Sequence, residues 1–224
     1  TFTIFKKKSF SIDELIILDV SRDKKMTDNF LSVVENLAMG CFIPISVGGG
    51  IDSLQKCKLL FSKGADKLII NSALKNDKSL SQKIKLYYGS QSIIASVDVK
   101  KINGEYYVFT ENGKKKSESN FKNYLLYLES IGVGEIYLNS IDRDGTGFGY
   151  DFELIQFINE KYSLPIIMAG GAGNYQHFVD ALREEKIHAA STANLFNFMG
   201  DGLADARKKV ISNKINLSNW ENYD

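Results

Sequence analysis

Disulfide-forming cysteine, an excess of charge of either sign and long apolar runs are all scarce in this 224-residue chain. Its two cysteines, Cys41 and Cys57, are too few for a disulfide framework and lack metal-ligand spacing, which fits a reducing cytoplasm. Lys and Arg total 28 against 27 Asp and Glu, and a net charge of +1 offers no field to hold nucleic acid or an anionic membrane. No apolar run approaches the roughly 18 residues of a membrane span. The lysine-bearing stretch from Thr1 to Phe10 has no signal-peptide core. There are only two histidines: His177 reads as a helix-surface residue and His188 as the first residue of a strand, so neither metal nor triad chemistry is expected. The sequence therefore predicts a soluble cytoplasmic protein that uses no metal or cofactor and binds neither nucleic acid nor membrane.

What is present is a regular alternation. Short apolar, β-branched runs predict strands over Glu14 to Asp19, Ile43 to Val47, Lys67 to Asn71, Ile93 to Val99, Glu135 to Ser140, Pro165 to Ala169 and Ile187 to Ala193. Amphipathic segments predict helices over Thr1 to Lys8, Thr27 to Met39, Ser53 to Lys63, Lys78 to Tyr88, Asn120 to Ile131, Phe152 to Glu160, Tyr175 to Arg183 and Asp201 to Val210. With 44% hydrophobic residues the chain is able to bury one sizeable core. An alternating chain that opens on a helix is expected to be an α/β fold, a (β/α)8 TIM barrel, in one domain spanning residues 1–224 from which the first strand and the loop after it are absent. Between the turn formers Asn103-Gly104 and Asn112-Gly113, the residues Tyr106 to Thr110 predict a hairpin excursion within Lys100 to Lys116. Pro44 to Ile51 echoes Pro165 to Ala172, and Leu18-Asp19 echoes Ile141-Asp142, as a duplicated half-barrel would.

In a barrel the site lies at the C-terminal ends of the strands, so residues where an apolar run gives way to Gly, Asp, Asn or Ser are the candidates. Gly48-Gly49-Gly50 follows a strand and precedes a helix, and so lets backbone N–H groups approach an anion. Gly170-Gly171-Ala172-Gly173 repeats the arrangement. Two such cradles suit a substrate with phosphate at both ends, although such turns also serve backbone packing alone. Asn71-Ser72 and Thr192-Ala193-Asn194 are placed to complete the two cradles, or to act as helix caps. Asp98 ends a buried strand, where a carboxylate is suited to general acid/base work. Its bland alternative is a salt bridge to Lys100 or Lys101. Asp142 and Asp144 could orient substrate hydroxyls while Gly145 lets backbone reach a phosphate, the plain alternative being an Asp-Gly turn.

Val47-Gly48-Gly49-Gly50, Ala65-Asp66-Lys67, Gly89-Ser90-Gln91, Asp98-Val99-Lys100 and the string Ser140-Ile141-Asp142-Arg143-Asp144-Gly145-Thr146 followed by Gly149-Tyr150-Asp151 occur in the order of one family. From about Ile12 to Phe198 the sequence resembles the cyclase subunit of imidazole glycerol phosphate synthase. The resemblance implies a lyase of histidine biosynthesis. It would use ammonia from a partner glutaminase to convert a bis-phosphorylated ribulosyl aminoimidazole carboxamide substrate to imidazole glycerol phosphate and aminoimidazole carboxamide ribotide. By position, it makes Asp98 one of two acid/base aspartates. Gly50, Asn71 and Ser72 match the first phosphate site, Gly145, Gly170, Gly171, Ala193 and Asn194 the second, and Asp19, Asp142 and Asp144 line the mouth. Glu14, Lys67 and Glu135 match three of four members of an ammonia gate, and Asp66 matches the contact to the glutaminase.

The family's second aspartate belongs to strand one. Ala169 and Asn194 stand where the family usually has Ser, and the turn Val20 to Lys25 is shorter than typical. These departures also resemble a paralogous group that delivers ammonia, with a glutaminase and an amidotransferase, for amidino-sugar synthesis in surface glycans. A third expectation is a non-catalytic scaffold that activates a glutaminase.

Overall fold

The structure is a computed structural model that describes residues 12–21, 26–193 and 202–217. It divides into two compact units, one reaching to Ala95 together with Ile131–Gly134, the other comprising Ser96–Ser130 and the chain from Glu135 onward.

The first unit runs β1 (Leu15–Leu18), α1 (Asp28–Ala38), β2 (Ile45–Gly48), α2 (Leu54–Ser62), β3 (Lys67–Ile70), α3 (Ser72–Asn76), α4 (Lys78–Tyr88) and the opening of β4 (Ile93–Ile102). Neighbouring strands are parallel, with Ile17 beside Val47, Val47 beside Leu68 and Ile69 beside Ile94. Every residue of β2 is buried, as are Leu68, Ile69 and Ile70 of β3, the continuous apolar pattern of strands covered on both faces. The helices begin where side chains cap them. Thr27 accepts from Phe30 N at 3.2 Å, Ser53 from Lys56 N at 3.4 Å and Asp77 from Ser79 N at 2.8 Å. Each helix buries one stripe: Leu31 and Val34 in α1, Cys57 and Leu60 in α2, Leu80 and Ile84 in α4. Each fully buried Leu or Ile contributes about 1.5–3 kcal/mol.

The second unit holds the rest of β4, then β5 (Glu105–Thr110), β6 (Lys115–Asn120), α5 (Phe121–Ile131), β7 (Glu135–Ser140), α6 (Phe152–Gln156), β8 (Ile166–Ala169), α7 (Tyr175–Arg183), β9 (Ala189–Ala190) and α8 (Gly202–Ser212). The strands β7, β8 and β9 are parallel neighbours, Tyr137 lying beside Ile167 and Ile167 beside Ala189. The antiparallel β5 pairs with β4, Asp98 opposite Phe109, and β6 pairs with β5 through a register shift between Tyr107 and Phe109. In both units the order is βα with parallel neighbours, that of the (β/α)8 class, and the β5–β6 hairpin is the excursion expected from the sequence.

Several boundaries differ from expectation. The last strand is shorter than Ile187 to Ala193, although His188 N donates to Ile166 O and Ser191 N to Met168 O, so the ladder extends past both ends of β9. Helix α6 stops at Gln156 rather than Glu160. The next turns are of the i to i−3 kind, and Asn159 Oδ1 accepts from Lys161 N at 2.9 Å, a local bond that competes with helix. The hairpin continues to Asn120, and Ser72–Asn76 forms a short helix of its own. The expected helix from Thr1 to Lys8 lies outside the described residues. Among the described residues no helix is long and apolar enough to cross a membrane.

Candidate active site

In the first unit the chain leaves β2 through Gly48, Gly49 and Gly50. Gly49 has φ +111° and Gly50 +60°, and a Cβ on Gly49 would stand 2.4 Å from the carbonyl oxygen of Asp19. Asp19 N donates to Gly48 O at 2.9 Å, so the turns after β1 and β2 touch backbone to backbone. Lys56, in the first turn of α2, donates to Gly50 O at 2.8 Å and to Asp52 at 2.9 Å, bringing a cation to the exit of the turn. Asp19 Oδ1 accepts from Ser21 N at 2.9 Å. At the end of β3, Asn71 occupies the N-cap position of α3, and Ser72 Oγ donates to Asn71 Oδ1 at 3.4 Å.

At the strand starts of the same unit Glu14 accepts from Ser46 Oγ and, at 3.1 Å, from Lys67 Nζ. Ser46 is fully buried, and Glu14 and Lys67 are about three-quarters covered, so this ion pair is drier than an ordinary surface one. Asp66 accepts from Ile45 N at 2.8 Å, and Asp66 N donates to Ile45 O. Its carboxylate therefore fastens the start of β2.

In the second unit Asp98 stands on β4, and Asn139 Nδ2 of β7 donates to Asp98 Oδ1 at 3.0 Å. The segment after β7 folds back at once. Arg143 N and Asp144 N both donate to Ser140 O, Thr146 Oγ1 to Arg143 O, and Asp142 Oδ2 accepts from Lys101 N at 2.8 Å. Gly145 has φ +75° with no atom within 4 Å of a would-be Cβ, so its glycine answers to backbone angle rather than crowding. Gly170 and Gly171 differ. A Cβ on Gly171 would lie 2.2 Å from Gly149 O, and one on Gly170 2.8 Å from Asn139 Oδ1. Gly149 N donates to Gly171 O at 2.7 Å, which ties the two loops together. Ala193 is exposed after β9, and Asn194 lies outside the described residues. Glu135 opens β7 on the same face as Tyr137 and Asn139.

Three side chains here escaped sequence reasoning. Asp151, only 6% exposed, accepts from Tyr106 Oη at 2.8 Å and from Ser140 Oγ at 3.0 Å, which locks the hairpin to the end of β7. Burial, then the Asp151 bond, pushes the Tyr106 phenol well above its usual range. His177 is no idle surface residue, because its Nδ1 accepts from Gly173 N at 3.0 Å. Desolvation holds the Tyr137 phenol above its usual range, the Ser191 side chain working against the shift and the charges of Asp144 and Asp98 adding to it. The strand alternation that put Tyr137 and Asn139 on the face of Glu135 was the available signal.

Parallel βα repeats that gather carboxylates and glycine turns at their strand ends define a protein of the (β/α)8 class. Residues 4–200 match the model of the histidine biosynthesis protein family, and the chain belongs to that family. It is 39% identical over 217 residues, 96% of this chain and 81% of the relative, to a protein of Parasynechococcus marenigrum (strain WH8102) named for imidazole glycerol phosphate synthase, subunit hisF2. To the imidazole glycerol phosphate synthase subunit HisF of Chlorobium phaeovibrioides (strain DSM 265 / 1930) it is 38% identical over 196 residues, covering 88% of this chain and 78% of that one. With the HisF subunit of Thermotoga sp. (strain RQ2) the identity is 37% over 206 residues, 92% of this chain and 81% of the relative.

Proposed function

We propose that this chain is the cyclase subunit of an imidazole glycerol phosphate synthase, a lyase acting in histidine biosynthesis in the cytoplasm. The observation that carries the reading is the Asp98 carboxylate, held by Asn139 in the same unit as the Asp142–Gly149 loop and the Gly170–Gly173 turn. In this reading Asp98 moves protons during ring closure and release of aminoimidazole carboxamide ribotide. Gly50, Asn71 and Ser72 take one phosphate of the substrate, Gly145, Gly170, Gly171, Ala193 and Asn194 the other. Asp19, Asp142 and Asp144 line the opening. A glutaminase subunit supplies ammonia, docking at a face that includes Asp66, and Glu14, Lys67 and Glu135 pass it inward as a polar port.

The test is turnover of the bis-phosphorylated ribulosyl substrate with ammonium salt, followed by loss of its aminoimidazole carboxamide absorbance. Asp98→Asn is expected to lower kcat by about 100-fold or more, the usual contribution of a positioned acid/base group. Absence of turnover in the unaltered protein would sink the reading and favour an ammonia-delivering or glutaminase-activating role.

A further inference from the structure

The turn that follows β8 spends its backbone donors in two directions. At the start of α7, Asn174 Oδ1 accepts from Gln176 N at 2.8 Å and from His177 N at 3.3 Å, an ordinary cap. His177, three residues past that cap, reaches back and accepts from Gly173 N through Nδ1 at 3.0 Å. A ring nitrogen that accepts carries no proton, so the N–H of the imidazole lies on Nε2. Nε2 stands 3.2 Å from Asn174 Nδ2, whose amide oxygen is already taken by the two helix N–H groups, so two donors lie side by side there. Among the described residues nothing accepts from Gly171 N or Ala172 N, although both residues are buried. The side chains of the helix start thus occupy the N–H groups of Gly173, Gln176 and His177, and those of Gly171 and Ala172 are left for an acceptor from outside the chain.

The same ring reaches the loop after β7. His177 Cδ2 and Nε2 lie 3.4 Å from where a Cβ on Gly149 would stand. Gly149 N donates to Gly171 O at 2.7 Å, and a Cβ on Gly173 would meet Gly147 O at 2.2 Å. Loop and turn therefore lie backbone on backbone, and one imidazole sits against both. We propose that His177 is a positioning residue for the phosphate taken up by the Gly170–Gly173 turn: by pinning the Gly173 amide it keeps the N–H groups of Gly171 and Ala172 turned to the anion. The proposal rests on the reading of that turn as one of two phosphate cradles. Glycine leaves the backbone free to rotate, so without an acceptor on the helix the turn would have to be ordered at the moment of binding, which weakens affinity.

The substrate carries two phosphates and each product keeps one, so product inhibition reads the cradles separately. The experiment measures KM, kcat and the inhibition constants of imidazole glycerol phosphate and aminoimidazole carboxamide ribotide, with ammonium salt as nitrogen source. It compares the unaltered protein with His177→Phe, His177→Gln and Asn71→Ala, with melting temperatures in parallel. His177→Phe keeps an aromatic ring without an acceptor. It should weaken one product about tenfold, the worth of one hydrogen bond, leave the other within about twofold, and raise KM with kcat within about twofold. His177→Gln, whose amide oxygen can reach back as in a capping box, should restore the inhibition constant to within about threefold. Asn71→Ala, in the other cradle, should weaken the opposite product. Should His177→Phe fail to fold, His177→Leu, equally without an acceptor, takes its place. Unchanged inhibition constants, equal loss of both products, or no rescue by glutamine would overturn the inference while Asn71→Ala still separates the products. If Asn71→Ala weakens the same product as His177→Phe, or separates nothing, the two-cradle reading falls, and this inference with it.

Discussion

Gly49 after β2 and Gly171 after β8 do the same backbone work in two different units. Both have positive φ, +111° and +102°, and both press against the turn of the adjacent strand, Gly49 against Asp19 and Gly171 against Gly149. Each turn leads into a nine-residue helix capped by a side-chain oxygen, from Ser53 or Asn174. Three residues after each cap a side chain reaches back to the glycine turn. In the first unit Lys56 donates to Gly50 O, and in the second His177 accepts from Gly173 N. One contact adds positive charge beside the turn. The other takes up an N–H that an anion could have used. The repeated glycines therefore encode close backbone packing, and the electrical character of each turn is set by one residue of the helix that follows.

The parallel is most easily broken at the crowded glycines. Gly171→Ala places a methyl 2.2 Å from Gly149 O, and Gly49→Ala one 2.4 Å from Asp19 O. Each should cost about 3–4 kcal/mol in denaturant unfolding, combining left-handed strain with overpacking. A large loss at one position and almost none at the other would dissolve the equivalence.

A second difference lies four residues past the caps, where α2 buries Cys57 and α7 buries Phe178. Desolvation pushes the Cys57 thiol from 9.0 up to about 12. Its folded value is raised, so its contribution is fully present below about pH 9 and is lost as pH rises toward 12, by up to about 1.4 kcal/mol per unit. Between about pH 9 and 10, before the buried phenols add a slope of the same sign, unfolding free energies should show this fall, and Cys57→Ala should flatten it there while Phe178→Leu leaves it in place. A smaller change separates strain from crowding. Gly145→Ala meets no atom within 4 Å and should cost only about 1 kcal/mol by thermal unfolding.

Elements that carry their own local signals were legible in the sequence. The alternating run Glu135–Ser140 and the capped helices Lys78–Tyr88 and Tyr175–Arg183 fall on the expected residues. Partnerships across long sequence distance were not. Asn139 finds Asp98 from 41 positions away, and Tyr106 finds Asp151 from 45. Lys101, a bland candidate to pair with Asp98, sends its ammonium to Glu153 and its backbone N–H to Asp142. Such choices depend on strand register, which residue type alone does not set.

Among the described residues β6 pairs only with β5, and five of its six side chains are exposed. Behind it lies Tyr106-Tyr107-Val108-Phe109, a run with the composition of an aggregating segment. Lys115 and Lys116 sit on this margin, Lys116 with its ammonium 3.3 Å from the centre of the Tyr107 ring, and the register shift at Tyr107/Phe109 distorts the ladder. A second copy approaching edge-on would meet repelling cations and an irregular row of donors. Charge and a misaligned ladder thus keep the hairpin from recruiting its own kind in a crowded solution.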